Sequence, residues 1–129
     1  MNELEVEHGL APTPGYRYAN RVGNQLFVAG QVPLNANGKI IGLDNPALQA
    51  TECLKNLQLL LSVHGFSEKD IQHFTVYVVG PTEHLSLAWN SVKEHFKHSV
   101  PPATLLGVAR LGYPGQLVEI DATVIREST

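Results

Sequence analysis

Apolar residues along this chain fall into two spacings, and the switches between them mark out the elements. Residues 25–32 (QLFVAGQV) and 71–79 (IQHFTVYVV) are β-branched and aromatic runs. In the second, Phe74, Val76 and Val78 share a face at period two. Between these runs Ala50, Leu54, Leu57 and Leu61 recur at helical spacing, with Cys53 and Leu60 widening the stripe. Asn45 followed by Pro46 predicts the N-cap and first position of that helix, and Gly65 its stop. Residues 67–70 make a polar turn. Pro81 ends the next strand, and Thr82 is the expected cap of a second helix running to about His98. Its stripe is Leu85, Ala88, Trp89, Val92 and Phe96. Val100-Pro101-Pro102 breaks that helix and opens two final strands, joined by a hairpin loop at Gly112-Tyr113-Pro114-Gly115.

The early chain reads as β. Residues 1–15 are a turn-rich lead-in ending in APTPG, and residues 16–22 form a short strand closed by Gly23-Asn24. Gly30 marks a bulge or a close backbone approach in the strand that follows. Asn37-Gly38 is the strongest hairpin signal, since both turn positions need positive φ, and residues 39–41 are the return strand. The order ββ(β)–α–β–α–ββ predicts one α+β domain over residues 1–129, with both helices on one face of the sheet. Residues 25–32 and 117–125 carry apolar side chains on both sides. The uncovered face therefore predicts self-association, most simply with cyclic symmetry.

Composition narrows the function classes. A chain of 129 residues, 43% hydrophobic and 16% charged, can bury a core without disulfides or metal. Its net charge of −3 disfavours nucleic acid and acidic membrane surfaces as partners. A single cysteine excludes an internal disulfide and points to a reducing compartment. The acidic N-terminus lacks a signal pattern and no apolar run is long enough to cross a bilayer, so a cytoplasmic location is expected.

Candidate chemistry concentrates at the end of the chain. On the last strand Val118, Ile120, Ala122 and Val124 take one face, and Leu117, Glu119, Asp121 and Thr123 the other. The two carboxylates are thereby roughly 6.5–7 Å apart along the strand. Partial burial would raise the pKa of one and suit it to acid–base work, whereas a wet face would leave both as solvated charges. Pattern alone does not choose. His95 and His98 share a helical face, but no third ligand, HExxH or cysteine pair accompanies them, so no metal is expected. Cys53, on the apolar stripe, reads as an inert core thiol. No Walker, GxGxxG or GxSxG arrangement occurs, and no cofactor is predicted.

Several stretches in order, from Gly15 onward, resemble the YjgF/RidA family, also called L-PSP endoribonuclease-like. They are Tyr16 ahead of Gly23-Asn24, Gly30-Gln31-Val32-Pro33, Asn37-Gly38, Asp70-Ile71 and Asn90. Pro102-Ala103 leading to Val108-Ala109-Arg110-Leu111, and Leu117 to Ala122, complete the set. The resemblance implies a chorismate-mutase-like fold and a homotrimer whose sheets form a central barrel, with small-molecule sites in the clefts between subunits. It implies hydrolysis of enamines and imines such as 2-aminoacrylate to 2-oxo acids. Glu119 matches the glutamate that holds or activates water, and Tyr16 and Asn90 match residues lining the pocket. The family's carboxylate-binding arginine falls on Ala103, followed by Thr104, and a pocket serine falls on Ala29. Losing such a charge-assisted contact is worth about 1.5–3 kcal/mol, so the pocket is expected to be roomier and less cationic. The alternatives are a noncatalytic metabolite-binding trimer and, disfavoured by charge, an endoribonuclease or translation inhibitor.

Overall fold

The computed structural model describes residues 1–127, so the last two residues of the predicted domain lie outside it. Five strands, β1 (Ala19–Val22), β2 (Gln25–Val28), β3 (Ile71–Val79), β4 (Ala103–Val108) and β5 (Val118–Ile125), make one sheet in the order β1-β2-β5-β3-β4. Only β3 and β4 run parallel, joined by a crossover through a helix. That helix, α3 (Thr82–His95), and the longer α2 (Pro46–Val63) pack on the same face; a short α1 (Glu3–Glu7) precedes the sheet. The α+β arrangement expected from the sequence is therefore observed.

The helix stripes explain the packing. Ala50, Cys53, Leu54, Leu57 and Leu61 of α2 meet Leu26, Phe74, Val76, Val78, Val118, Ile120 and Val124 of the sheet, all at most 1% exposed. Ala88 and Val92 of α3 complete this core, with Leu85, Trp89 and Phe96 packed at its edge. Cys53 is fully buried, and burial pushes its thiol well above the usual range, as suits an inert core group. Asn45 caps α2 by accepting from the Leu48 N–H at 3.0 Å.

Two polar residues interrupt the buried stripe of α2, seven positions apart and hence on one face. Gln49, fully buried, donates to the carbonyls of Gly42 and Gly115 and accepts from the N–H groups of Leu117 and Val118. Asn56 donates to the carbonyls of Val32 and Leu34. The helix thus holds, by side-chain amides, the irregular backbone on both sides of the start of β5.

The structure departs from several expectations. The last two strands do not form a hairpin: α3 forces β4 to run parallel on the free edge of β3, so β3 lies between β4 and β5 and the 109–117 segment crosses its end. At Asn37-Gly38 only Gly38 takes positive φ. The turn instead begins at Asn35, whose side chain accepts from the N–H groups of Asn37 and Lys39, and the return strand shrinks to one bridge, Leu34 with Ile40. Thr82 is the first residue of α3 and does not cap it; Pro81 precedes the helix without a side-chain cap bond. The helix also ends at His95, because Lys97 and His98 turn to positive φ (52° and 63°). The lead-in contains α1, where buried Glu5 accepts from, or pairs with, His64 at 2.6 Å.

The sheet's second face has no cover from this chain. Val22 (59% exposed), Phe27 (52%) and Leu106 (43%) lie on it, beside Thr75, Tyr77, Glu119 and Asp121. Among the described residues no helix is long and apolar enough to cross a membrane.

The amide of Gln49 gives a stability prediction. Gln49→Ala leaves buried backbone groups of the Gly42 turn and of β5 unpaired, and is expected to destabilise by about 2–4 kcal/mol, from the cost of stranding such groups. Urea unfolding at fixed protein concentration measures it; a change below about 0.5 kcal/mol, the range of an ordinary surface substitution, would refute the role.

Candidate functional site

The site begins with register. Gln49 fixes the backbone at Leu117 and Val118, which sends Val118 and Ile120 into the core and Glu119 outward. On one side β5 pairs with β3, Glu119 opposite Tyr77. On its other side β2 pairs with β5 as far as Phe27 opposite Thr123, then rejoins it as Gln31 opposite Ile120. Four steps on one strand thus face three on the other, a bulge that lifts residues 28–30 out of the ladder.

Gly30 stands in this bulge, and the Glu119 side chain lies against it. A Cβ at position 30 would come within 2.3 Å of Glu119 Oε2 and 2.8 Å of its carboxyl carbon. The glycine is needed for space, since its φ is not in the left-handed region. The expected bulge and close approach at Gly30 are thus one feature.

Around the carboxylate a cavity of about 420 Å³ opens. Tyr16 and Tyr113 form one wall, their hydroxyls 3.4 Å apart. Pro14, Ala29, Val32 and Gly112 supply apolar surface. Gln116 braces the loop: its carbonyl accepts from the Tyr113 N–H at 3.2 Å, and its amide donates to the Val118 carbonyl at 3.0 Å and to Glu119 at 3.3 Å.

Burial is the main cause that raises the Glu119 pKa above the ordinary 4.5, opposed by the Gln116 bond and reinforced by the charge of Asp121. Tyr16 is held well above the usual phenol range, first by burial and then by its bond to Tyr113, so it remains neutral. The site can therefore hold a proton-accepting carboxylate near two phenol groups in partly dry surroundings.

The other sequence candidates lie elsewhere in the chain. Asn90 sits on the exposed side of α3, beside a separate cavity lined by Ala47, Thr51 and Glu94. Ala103 opens β4 opposite Phe74 and packs against the core. Thr104 faces the open side of the sheet, its hydroxyl 3.1 Å from His73 Nε2. Asp121 accepts from the Tyr77 hydroxyl at 3.1 Å. The structure therefore brings together Tyr16, Ala29 and Glu119, and not Asn90, Ala103 or Thr104. His95 and His98 do not share a helical face: His95 pairs with Glu68 at 2.5 Å and His98 lies past the helix end. Among the described residues no group of three or more metal-ligating side chains comes together.

Tyr113 and Gln116 were not singled out from the sequence. An aromatic within a Gly-x-Pro-Gly loop was the available signal for Tyr113; Gln116 offered none.

This mixed sheet, with two helices on one face and a carboxylate on the other, is an α+β architecture shared with solved structures of the YjgF/RidA proteins. The family model described as Endoribonuclease L-PSP matches residues 6–126, and the chain belongs to that family. A RutC family protein of Pyrococcus horikoshii is 32% identical over 124 residues, covering 95% of each chain. The YjgF gene product of E. coli superposes with a TM-score of 0.81 at 26% identity, over 94% of this chain and 95% of that one. RidA from the Antarctic bacterium Psychrobacter sp. PAMC 21119 shares the fold at 21% identity (TM-score 0.79, 90% and 94% covered).

The electrostatics can be tested directly. Glu119 is expected to titrate above 4.5 by carboxyl-carbon NMR, lower in Asp121→Asn and higher still in Gln116→Ala. Because the folded form then binds this proton more tightly than the unfolded one, stability falls as pH rises from the ordinary value near 4.5 through the folded-state value. Glu119→Gln is accordingly expected to melt higher than the native chain at pH 7 and close to it at pH 4. Equal melting temperatures at pH 7 would refute the shift.

Proposed function

We propose that this chain is a cytoplasmic homotrimer that binds small metabolites in intersubunit clefts and hydrolyses enamine or imine compounds there. The observation that carries the reading is the half-buried Glu119, its pKa raised, facing a cavity walled by Tyr16 and Tyr113. An enamine first tautomerises to the imine. Glu119 then takes a proton from water as the water oxygen bonds to the carbon of the C=N group, and returns it to the nitrogen. The C–N bond then breaks as the hydroxyl proton passes to the departing nitrogen, which yields a carbonyl compound and ammonia. A carboxyl with a raised pKa suits both halves of this transfer, because its acid and base forms lie closer in energy near neutral pH.

The trimer is supported by the open sheet face, where Val22, Phe27 and Leu106 would otherwise stay in water. Asn90, Ala103 and Thr104 lie apart from Glu119 within one chain, and a cleft between subunits is the arrangement that would bring them to it. Ala103, in place of a cationic side chain, favours as a second reading a noncatalytic metabolite-binding trimer. RNA cleavage is disfavoured by the net charge of −3.

Enamines generated in situ by an amino-acid oxidase or threonine dehydratase provide the assay. Faster ammonia release than in buffer is expected, with Glu119→Gln slower by about 100-fold or more, the usual size of a general acid–base contribution. No acceleration, together with stabilisation of the fold by a metabolite, would favour the noncatalytic reading. Light scattering is expected to give three times the 14.1 kDa chain mass, and Phe27→Glu to reduce it.

A further inference from the structure

The charges around Glu119 carry a consequence for what the cavity can accept. Among the described residues Glu119 is the single charged side chain in its lining; the remainder are phenols, glycines and small apolar groups. None of the chain's arginines is in that lining. Arg17 lines the adjoining cavity, which meets this one at Ala29, and is absent from the lining around Glu119. Arg21 and Arg126 lie over the Phe66 ring, at 5.1 and 4.4 Å from its centroid, and Arg110 is exposed on the strand-connecting segment.

A substrate bearing a carboxylate would bring a second negative charge beside Glu119, with no cation among the residues that this chain contributes to the lining. Like charges in partly dry surroundings disfavour one another, and the cheapest relief is to protonate Glu119, which removes the base the reaction needs. A protonated imine behaves in the opposite way. Its positive charge pairs with Glu119, favours the ionised carboxylate, and meets the electron-rich faces and oxygens of Tyr16 and Tyr113. Binding of the cation and readiness of the base thus reinforce each other.

We propose that this cavity selects cationic iminium compounds that carry no carboxylate, the class produced by oxidation of amines, over the imines of amino acids. The inference rests on the C=N reading above and narrows it. The step is R–CH=NH2⁺ + H2O → R–CHO + NH4⁺, with no change of oxidation state. Water oxygen bonds to carbon, one water proton passes through Glu119 to nitrogen, and the C–N bond breaks. The hydroxyl proton leaves with the ammonia as ammonium. An amine-oxidising enzyme is the class of reaction that must supply the substrate.

Two imines that differ by the carboxylate alone test this. Monoamine oxidase acting on 2-phenylethylamine gives one, and an L-amino-acid oxidase acting on phenylalanine gives the other; semicarbazide traps whatever is not hydrolysed. The purified full-length protein is expected to suppress semicarbazone formation from the amine-derived imine at a concentration at least tenfold lower than from the amino-acid-derived one. Equal suppression, or preference for the amino-acid imine, overturns the proposal and leaves the C=N reading intact. Suppression of neither overturns the C=N reading, and thermal shift then decides the charge preference. Benzamidine, an amidinium, is expected to stabilise the protein and to lose this effect in Glu119→Gln, with benzoate inert. Stabilisation by benzoate, or by neither compound, overturns the proposal.

Discussion

The buried amide of Gln49 is the constraint on which the rest of the structure turns. It sits in the apolar stripe of α2 and ties the Gly42 turn, the Gly115 carbonyl and the first N–H groups of β5 to one point. A strand that enters the sheet one residue out of step would present every side chain to the wrong face. With Leu117 and Val118 held, the core receives Val118, Ile120 and Val124, and the carboxylate goes to the cleft. Asn56, two helical turns on, performs the same service for residues 32–34, so α2 organises both strands that border the site.

Glu119 is placed by subtraction as much as by contact. The bulge in the strand beside β5 moves backbone away from the ladder, and a missing side chain at position 30 clears the volume that the carboxylate fills. Gln116 is the partner that keeps this arrangement from being costlier, since it hydrogen-bonds the ionised form in surroundings that otherwise disfavour it. The chain thus tolerates a partly dry carboxylate on a sheet face that it leaves uncovered.

Local pattern carried most of the architecture. The stripes of α2 and α3, the cap at Asn45 and the in–out alternation of β5 all follow from residue spacing, and the structure reproduces them. What spacing could not convey was pairing across distance. Nothing near Gly112 to Gly115 says that β3 will slip between its two flanking strands, because that outcome is decided by the crossover of α3. Asn35 likewise took the turn from Asn37 through side-chain bonds to two backbone N–H groups, a local competition invisible to a dipeptide rule. At the cleft, Glu119 and Gly30 stood out as a charge and a glycine in apolar strands. Tyr113 and Gln116 did not, since a tyrosine in a loop and a glutamine before a strand mean nothing until the loop is folded back on the carboxylate.

The strand order has a consequence for how the cleft can change over time. β5 is the middle strand of five, hydrogen-bonded on both sides, whereas Tyr113 belongs to an irregular segment held by a few side-chain amides. The two walls are therefore expected to differ in mobility, with slower amide exchange along β5 than along the opposite rim. Inherited substitutions meet the same asymmetry. Changes at residues 109–112, ahead of the Gly115 carbonyl that Gln49 holds, reshape the rim at smaller cost to the fold than changes along β5, which disturb the core. Descendants of such a chain can acquire new ligands by remodelling one loop, around an acid whose position stays fixed.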